Sequence, residues 1–526
     1  FNVRGPLNAV PSPQGRPVLH PWDVLNGVNT SHYRTYEQTL PMVQGLFPGL
    51  RRNRQPVTEP GPFIYMPTEF LHGLFDGGAG AGMEDYWNAM RNGPYPGGGF
   101  IWALVDEGVR RPDTGKIDVQ GNQAPDGILG PYREKEASFF TIKELWSPLV
   151  VSLRELTADF DGVLPLENPY SFTNAAECRF TWQLRRLPAP GDRAFVTTVL
   201  SEGVAPAPDI AAGRKGSVRL PLPANWREAD VLALRIEDPQ GNELWTSTWP
   251  VAGISRLRRV PAAAAAATVP AVLTESKEHF TVTAGDLVVE IDRATGLLAA
   301  VSRGGRAFSF KNGPRVAVGN AELADIAARA DGTAIVIEAR YKGAMEKVEW
   351  RVRADGWIDC EFVYHAAKPE PVLGVCFDYP AEQVKAKRWV GAGPYRVWQN
   401  RLRGTSLGAW ANDYNDTVTG WSGWVYPEFK GCFADVRWLS LATQEGPLTV
   451  VVQTPGLYVQ VLTPGQPPED LRKATAITLP EAGLAFLHVI PAIGTKFNGP
   501  ENLGPQSALR PIEPAYHGAV SFRFGE

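Results

Sequence analysis

The sequence predicts a multidomain protein in which an α/β segment precedes two all-β domains. Its 526 residues are too many for one hydrophobic core, so about three domains are expected. Residues 1–145 alternate short apolar runs with helical patterns, and residues 146–256 carry short alternating segments between Pro, Gly and Asn turns. Residues 273–526 are again strand-rich and contain few helical stripes. These changes of pattern place the domain boundaries.

The first segment, residues 1–145, has the pattern of β-α-β units. Unbroken apolar runs, as in parallel strands covered on both faces, occupy residues 17–20, 63–66 and 100–105. A helical stripe with the spacing i, i+3, i+4 and i+7 is formed by Met83, Tyr86, Trp87 and Met90. The units are too few for a complete β/α barrel, so part of one is expected.

The rest of the chain predicts β-sandwiches. Residues 146–256 have the size and the turn spacing of an immunoglobulin-like sandwich. A Pro- and Ala-rich stretch at residues 257–272 is interpreted as a linker. Residues 273–526 predict a large antiparallel β-sandwich.

Charge and hydropathy exclude two classes of partner. The net charge of −4 gives no basic surface for nucleic acid or for an anionic membrane. No apolar run approaches the ~20 residues of a membrane span. Phe1 is not a methionine and no signal-peptide pattern follows it, which predicts that the natural gene product begins upstream.

The four cysteines leave two readings open. The cysteines are Cys178, Cys360, Cys376 and Cys432. They are too few and too widely spaced for a disulfide framework or a zinc cluster. Cys360 and Cys376 could pair across neighbouring strands, while buried free thiols are the simpler interpretation.

Three residues at the ends of the apolar runs carry candidate chemistry. Glu69 closes the run PFIYMPTE, where a β/α barrel places its catalytic residues, and a carboxylate there can act in glycoside hydrolysis. His72 could orient that carboxylate or bind a sugar hydroxyl. Trp102 offers a flat face for a pyranose ring. Taken singly, each also fits a structural role: a solvated loop glutamate, a structural histidine and a core tryptophan.

The order of these motifs resembles glycoside hydrolase family 2, in its β-galactosidase branch. The chain has TEFLH at 68–72, then a Gly-rich stretch, then EDYWNAMRNGPYPGGGFIWALVDEG at 84–108 and DGILGPYREKEASFFTIKELWSP at 126–148. The family has a Glu-Tyr-Ala-His segment, a Tyr-Trp helix and a Gly-Gly-Phe-x-Trp strand in the same order. The resemblance implies that the first domain is the C-terminal half of a (β/α)8 TIM barrel.

The resemblance also implies roles for five residues. Glu69 falls on the catalytic nucleophile, His72 on a sugar-contacting histidine and Trp102 on the aromatic platform. Tyr33, in NTSHYRTY, would be the tyrosine that hydrogen-bonds the nucleophile. Asp126 falls where galactosidases carry an Asn beside the sugar and a sodium ion. The chain departs from the family pattern at Asp126 and at Ala103, where an Asp usually follows the platform tryptophan.

Later segments extend the resemblance to the end of the chain. LENPYSFTNAAECRFTWQL resembles the immunoglobulin-like domain, and GDLVVEIDRATGLLAAV and GAGPYRVWQNRL resemble a supersandwich related to galactose mutarotases. The implied activity is retaining exo-hydrolysis of terminal β-D-galactosides, or of a related β-glycoside in an oligo- or polysaccharide. The acid/base Glu, the ligands of Mg²⁺ and the sugar-binding N-terminal domain would lie in a missing N-terminal part, upstream of residue 1 or on another chain. The resemblance further implies a homo-oligomer.

A non-catalytic carbohydrate-binding or scaffolding subunit is the main alternative. Such a protein would bind glycans through exposed tryptophans, for which the candidates are Trp398, Trp410, Trp421 and Trp424. Core or interdomain packing is the other interpretation of these four residues. A mutarotase-like activity would need a His–Glu pair in a sandwich cleft, and His488 gives no convincing pair.

Overall fold

The computed structural model describes residues 19, 24–47, 56–57, 60–73, 80–115, 117–119, 126–130, 133–261, 269–413, 429–465 and 478–525. Within them the chain is mostly β-structure, with 31 strands and three α-helices. No helix in these ranges is long and apolar enough to cross a membrane. The strands group into several sheets that form a multidomain, sandwich-rich molecule.

The first region combines short strands with all three helices. Its elements are β1 (Val24–Leu25), β2 (Val28–Asn29), α1 (Tyr36–Val43), β3 (Ile64–Tyr65), α2 (Met83–Asn92), β4 (Gly108–Arg110), β5 (Ile117–Val119) and α3 (Ala137–Leu145). β2 and β3 pair in parallel, and further parallel bridges join Tyr65 to Pro96, Phe70 to Ile101 and Val105 to Leu129. Successive segments therefore run parallel to one another. The contacts among the described residues do not close them into a barrel.

The local sequence explains where the helices lie. Thr35 and Gln38 form a reciprocal capping box at the start of α1. α2 has acidic residues in its first turn and Arg91 in its last, which suits the helix dipole. The helix predicted from the Met83–Met90 stripe is confirmed. The continuous strand predicted at 100–105 is wrong, since the segment is bridged only at Ile101 and Val105.

The second region is a seven-stranded sandwich. Its strands are β6 (Val150–Val151), β7 (Val163–Asn168), β8 (Arg179–Arg186), β9 (Thr198–Ala205), β10 (Arg214–Arg219), β11 (Val231–Glu237) and β12 (Glu243–Pro250). They form sheets of order β10-β7-β6 and β12-β11-β8-β9. Phe180, Trp182 and Leu234 are among the side chains buried between the sheets. Burial alternates along β8 as expected for a sandwich strand, whereas the first four residues of β11 are all buried.

The third region is a larger antiparallel assembly. Its strands are β13 (Val272–Glu275), β14 (His279–Ala284), β15 (Leu287–Asp292), β16 (Leu298–Arg303), β17 (Arg306–Phe308), β18 (Lys311–Val316), β19 (Ala321–Asp331), β20 (Ala334–Gly343), β21 (Met345–Val352), β22 (Ile358–Tyr364), β23 (Leu373–Asp378), β24 (Val384–Gly393), β25 (Ser406–Asp413), β26 (Gly431–Phe433), β27 (Trp438–Thr443), β28 (Leu448–Val452), β29 (Tyr458–Val461), β30 (Leu484–Val489) and β31 (Tyr516–Phe524). Two five-stranded sheets and one nine-stranded sheet enclose one hydrophobic core. Cys360 and Cys376 lie on different sheets, and all four cysteines are buried free thiols.

Ion pairs fasten the third region to the helices of the first. The Arg403 guanidinium donates to Oε1 of Glu84 at 2.9 Å and to Oε1 of Glu144 at 3.0 Å. Burial raises the pKa of Glu144, and the charge of Arg403 opposes that rise. Gln506 adds a hydrogen bond to Glu84. This junction brings the last loops of the third region against the segment that carries Glu69.

Candidate active site

One oxygen of the Glu69 carboxylate is hydrogen-bonded by one residue of the preceding segment and approached by a second. The Tyr33 hydroxyl donates a hydrogen bond to Oε2, and Nδ1 of His32 lies 3.5 Å from the same atom. No described residue hydrogen-bonds Oε1. The Glu69 side chain is 27% exposed, so the carboxylate is partly open to solvent. One carboxylate oxygen is therefore bound by the protein, and the other has no hydrogen-bond partner among the described residues.

Tyr33 is held in an unusual backbone conformation. Its φ is +48°, a left-handed value that is rare for a bulky residue. Its N–H donates to the carbonyl of Glu69 at 3.3 Å, so main chain and side chain both contact the same residue. Burial first, and then the hydrogen bond and the charge of Glu69, raise the pKa of Tyr33 above its ordinary value. The phenol therefore stays protonated and acts as a donor at neutral pH.

His72, Trp102 and Asp126 form a second group beside Glu69. The Trp102 indole donates from Nε1 to Oδ2 of Asp126 at 3.1 Å. Nε2 of His72 lies 3.5 Å from the same oxygen, and the His72 ring stacks on Trp102 with centroids 6.2 Å apart. His72 also makes an edge contact with the Tyr33 ring at 5.5 Å. All five residues predicted for the site are thus connected by direct contacts.

Asp126 is a buried acid, and its surroundings disfavour the charged form of its carboxyl group. It is 2% exposed, and burial, followed by the nearby charge of Glu107, raises its pKa to about 7. Asp106 is 3% exposed, and burial raises its pKa to about 7 as well. The hydrogen bond from the Gly127 N–H opposes this rise, and the charge of Asp126 adds to it. Both carboxyl groups are consequently partly protonated at neutral pH.

Gly127 allows the Asp106 and Asp126 segments to approach each other. A Cβ at this position would lie 2.3 Å from the Asp106 nitrogen and 2.4 Å from the Val105 carbonyl carbon, closer than any side chain can be. The Gly127 N–H instead donates to Oδ1 of Asp106 at 2.8 Å. A glycine here sets the spacing behind Trp102.

A turn of the third region, residues 495–498, reaches into the site. The Phe497 ring stacks on Tyr33 with centroids 4.4 Å apart and remains 50% exposed. The Lys496 N–H donates to the His72 carbonyl at 2.9 Å, and its Nζ lies 3.4 Å from Nε2 of His72. The Asn498 amide donates to the Tyr33 carbonyl at 3.2 Å. This turn therefore forms one wall around Glu69.

The metal ions implied by the resemblance find little support in these residues. Oδ1 of Asp126 is buried without a hydrogen-bond partner, so one carboxylate oxygen is suited to accept a cation. The described ranges hold no cluster of three or more His, Cys, Asp or Glu side chains that could bind a metal. One oxygen does not build a cation site. Sodium and magnesium stay a prediction, and no chemical step below uses them.

Residues that the sequence did not single out complete the site. His32, Lys496 and Phe497 all contact predicted residues, but only His32 had a local signal, its position beside Tyr33. Of the tryptophans proposed as glycan platforms, Trp398 is 1% exposed in the core and the Trp410 indole donates to the Gly391 carbonyl. Trp421 and Trp424 lie outside the described residues. Burial of Trp398 excludes it as an exposed platform.

Comparison with known proteins relates the chain to β-galactosidases. The family described as β-galactosidase small chain matches residues 311–501. A β-galactosidase of Arthrobacter sp. (strain B7) is 23% identical over 520 residues, covering 86% of this chain and 49% of that protein. The β-galactosidase BgaC of Bifidobacterium adolescentis is 23% identical over 443 residues, covering 73% of this chain and 40% of its own length.

Solved structures add nothing to this relationship. A variant of the exo-chitosanase CsxA of Amycolatopsis orientalis, in complex with PNP-β-D-glucosamine, is 11% identical, and the match covers 70% of this chain and 33% of that one with a TM-score of 0.18. Such a score supports no conclusion about the fold. The chain spans about half or less of the length of the curated relatives above. The chain is thus similar to β-galactosidases, and its relatives' names support a glycoside hydrolase.

Proposed function

We propose that this chain supplies the catalytic nucleophile of a retaining exo-glycosidase of glycoside hydrolase family 2, which removes terminal β-D-galactosyl groups. The observation that carries the proposal is the carboxylate of Glu69, whose Oε2 is held by Tyr33 while Oε1 is free. A nucleophile in this chemistry needs an ionised carboxylate with one oxygen directed at the anomeric carbon. The partly exposed Trp102 ring beside it suits the apolar face of a pyranose, while the buried His72 ring packs against Trp102.

The proposed reaction is a double displacement. Oε1 of Glu69 attacks the anomeric carbon, the bond to the leaving oxygen breaks, and a second carboxylic acid protonates that oxygen. Water, deprotonated by the same second group, then attacks the anomeric carbon and Glu69 leaves as a carboxylate. We assign the second carboxyl group to a segment outside this chain, because the family resemblance places it well before the nucleophile.

A partial β/α barrel is part of the same proposal. The parallel bridges at Tyr65, Phe70 and Val105 support this proposal, because neighbouring strands of such a barrel run parallel. Large apolar side chains on and near these segments are exposed, including Ile64 at 46% and Phe100 at 59%. Further β/α units would cover them and place the acid/base residue opposite Glu69. Those units belong to the same polypeptide or to a partner chain.

Covalent trapping tests the nucleophile without relying on the second carboxyl group. The probe is 2,4-dinitrophenyl 2-deoxy-2-fluoro-β-D-galactoside, whose leaving group departs without protonation and whose fluorine slows release of the sugar. In the complete protein, mass spectrometry should find one fluorogalactosyl group, on the peptide that contains Glu69. Glu69→Gln and Glu69→Ala should take up none, while Glu37→Gln, an exposed acid of the same region, should label normally.

The same experiment separates the enzyme from the carbohydrate-binding alternative. A binding subunit would take up no label and would retain its affinity for galactosides in Glu69→Ala. Wild-type turnover of aryl glycosides by Glu69→Ala would remove Glu69 from the mechanism. Rates on aryl β-galactosides, β-glucosides and β-glucuronides would then identify the sugar.

A further inference from the structure

We propose that His32 is a positioning residue that presents a proton on Nδ1 to Oε2 of Glu69 and thereby directs Oε1 toward the sugar. This inference rests on the proposed role of Glu69 as nucleophile. It starts from the position of the ring, which is 3% exposed on the side of the carboxylate that Tyr33 also contacts. A histidine at this position has no role in the family pattern described above.

The contacts of His32 with Thr68 and Glu69 together favour a proton on Nδ1. Nε2 of His32 lies 2.5 Å from Oγ1 of Thr68, and Nδ1 lies 3.5 Å from Oε2 of Glu69. If the Thr68 hydroxyl donates to Nε2, the neutral ring carries its hydrogen on Nδ1. If Nε2–H donates to Thr68 instead, a neutral ring would direct the lone pair of Nδ1 at the carboxylate, which is unfavourable. The doubly protonated ring avoids this contact. In both favoured states Nδ1 bears a proton that faces Glu69.

A hydrogen bond from Tyr33 and a longer contact with His32, both at Oε2, distinguish the oxygens of Glu69. The Tyr33 hydroxyl and the His32 Nδ1–H both stabilise negative charge at Oε2, so Oε1 is the oxygen left to bond the anomeric carbon. In the glycosyl–enzyme ester, Oε2 is the carbonyl oxygen. When water displaces Glu69, charge returns to the carboxylate, and donors fixed at Oε2 stabilise it. His32 keeps its proton throughout and acts through Glu69 alone.

Two amide substitutions separate this role from mere packing. In His32→Asn the side-chain amide stands near the former Nδ1 and can still donate toward Glu69, but it does not reach Thr68. In His32→Gln the amide reaches the former Nε2 and keeps the Thr68 contact without a donor to Glu69. His32→Leu fills the space and removes both contacts. The melting temperature of each variant reports whether the fold is intact.

The measured quantities are the rate of labelling by 2,4-dinitrophenyl 2-deoxy-2-fluoro-β-D-galactoside and the rate at which azide releases the trapped sugar. We expect His32→Leu and His32→Gln to lower both rates by about 10- to 100-fold, less than the loss of a direct oxyanion donor because 3.5 Å is a longer contact. The dissociation constant of the probe should not change, and His32→Asn should recover most of the rate.

Three results would overturn the inference. Wild-type rates in His32→Leu would show that the ring has no influence on Glu69. Recovery by His32→Gln but not by His32→Asn would make the Thr68 contact, and hence packing, the reason for any loss. Absence of label in the wild-type protein would refute the role of Glu69 itself and this inference with it. If His32→Leu fails to fold, the comparison of His32→Asn with His32→Gln decides.

Discussion

Replacing Asp126 by asparagine should remove a pH-dependent loss of stability at the site. The ordinary pKa of an aspartate is 3.8 and that of Asp126 is about 7, raised by burial and then by Glu107. At about 1.36 kcal/mol per pKa unit, ionising the folded protein costs roughly 4 kcal/mol more than ionising the unfolded chain. This is an upper limit, because unfolding one region can relieve it locally.

The direction of the pH dependence follows from the number of protons that the folded and unfolded states bind. Below the unfolded pKa of 3.8, both states hold the proton and the neutral carboxyl group costs nothing. Between that value and about 7, the folded state keeps a proton that the unfolded state has lost, so stability falls as pH rises. The asparagine of the variant cannot ionise, and its oxygen can still accept the Trp102 N–H. Asp126→Asn should therefore match the wild type near pH 4 and exceed it near pH 8.

Urea denaturation at a series of pH values measures this difference, and hydrogen exchange of residues 101–106 and 126–130 shows whether it arises at the site. The control is Asp113→Asn, which removes the same charge from an exposed ion pair with Arg111. Because that contact lowers the pKa of Asp113, its ionisation is complete in the acid range, and the variant should leave the pH dependence between about pH 5 and pH 8 unchanged. An Asp126→Asn advantage that is equal at pH 4 and pH 8 would refute the reasoning, since it could not come from ionisation.

Three further outcomes are expected. Arg403→Met should destabilise the junction of the first and third regions by about 2 kcal/mol in urea denaturation, because two half-buried carboxylates, 17% and 18% exposed, lose a partner. Arg154→Met, an exposed contact of the same acids, should cost under about 1 kcal/mol. Phe497→Ala should raise the KM of aryl galactosides by about 3- to 10-fold with little change in kcat, the range of one aromatic contact, whereas Phe172→Ala, 96% exposed in the sandwich, should not. Ellman's reagent should find no reactive thiol in the native protein and four in denaturant; fewer than four would indicate a disulfide.

Local pattern predicts much of this fold, because helices and half-buried strands have their own periodicities. The stripe from Met83 to Met90 became α2, and the alternating segment at 231–237 became β11. The segment 100–105 shows the limit of this reasoning. Its apolar run gives no information on which neighbours will pair with it, and only Ile101 and Val105 form bridges.

The candidate site likewise contains some residues that the sequence predicts and others that it does not. Glu69, His72 and Trp102 were found from their motifs, which lie within one stretch of chain. Phe497 was not found, because more than 400 residues separate it from Tyr33 and only the packing of the third region brings the two rings together. A half-exposed phenylalanine in a polar turn has no periodicity that would identify it beforehand.

The hydrogen bonds of Tyr33 make the third region part of the site. A left-handed conformation at a bulky residue costs about 1–3 kcal/mol and persists only where surrounding contacts enforce it. Here the backbone N–H and the phenol bind Glu69, while the carbonyl accepts from Asn498. Three hydrogen bonds thus fix one strained residue, and one of them comes from the turn at 495–498. The position of the nucleophile's donor therefore depends on the packing of a region that begins more than 200 residues later in the chain.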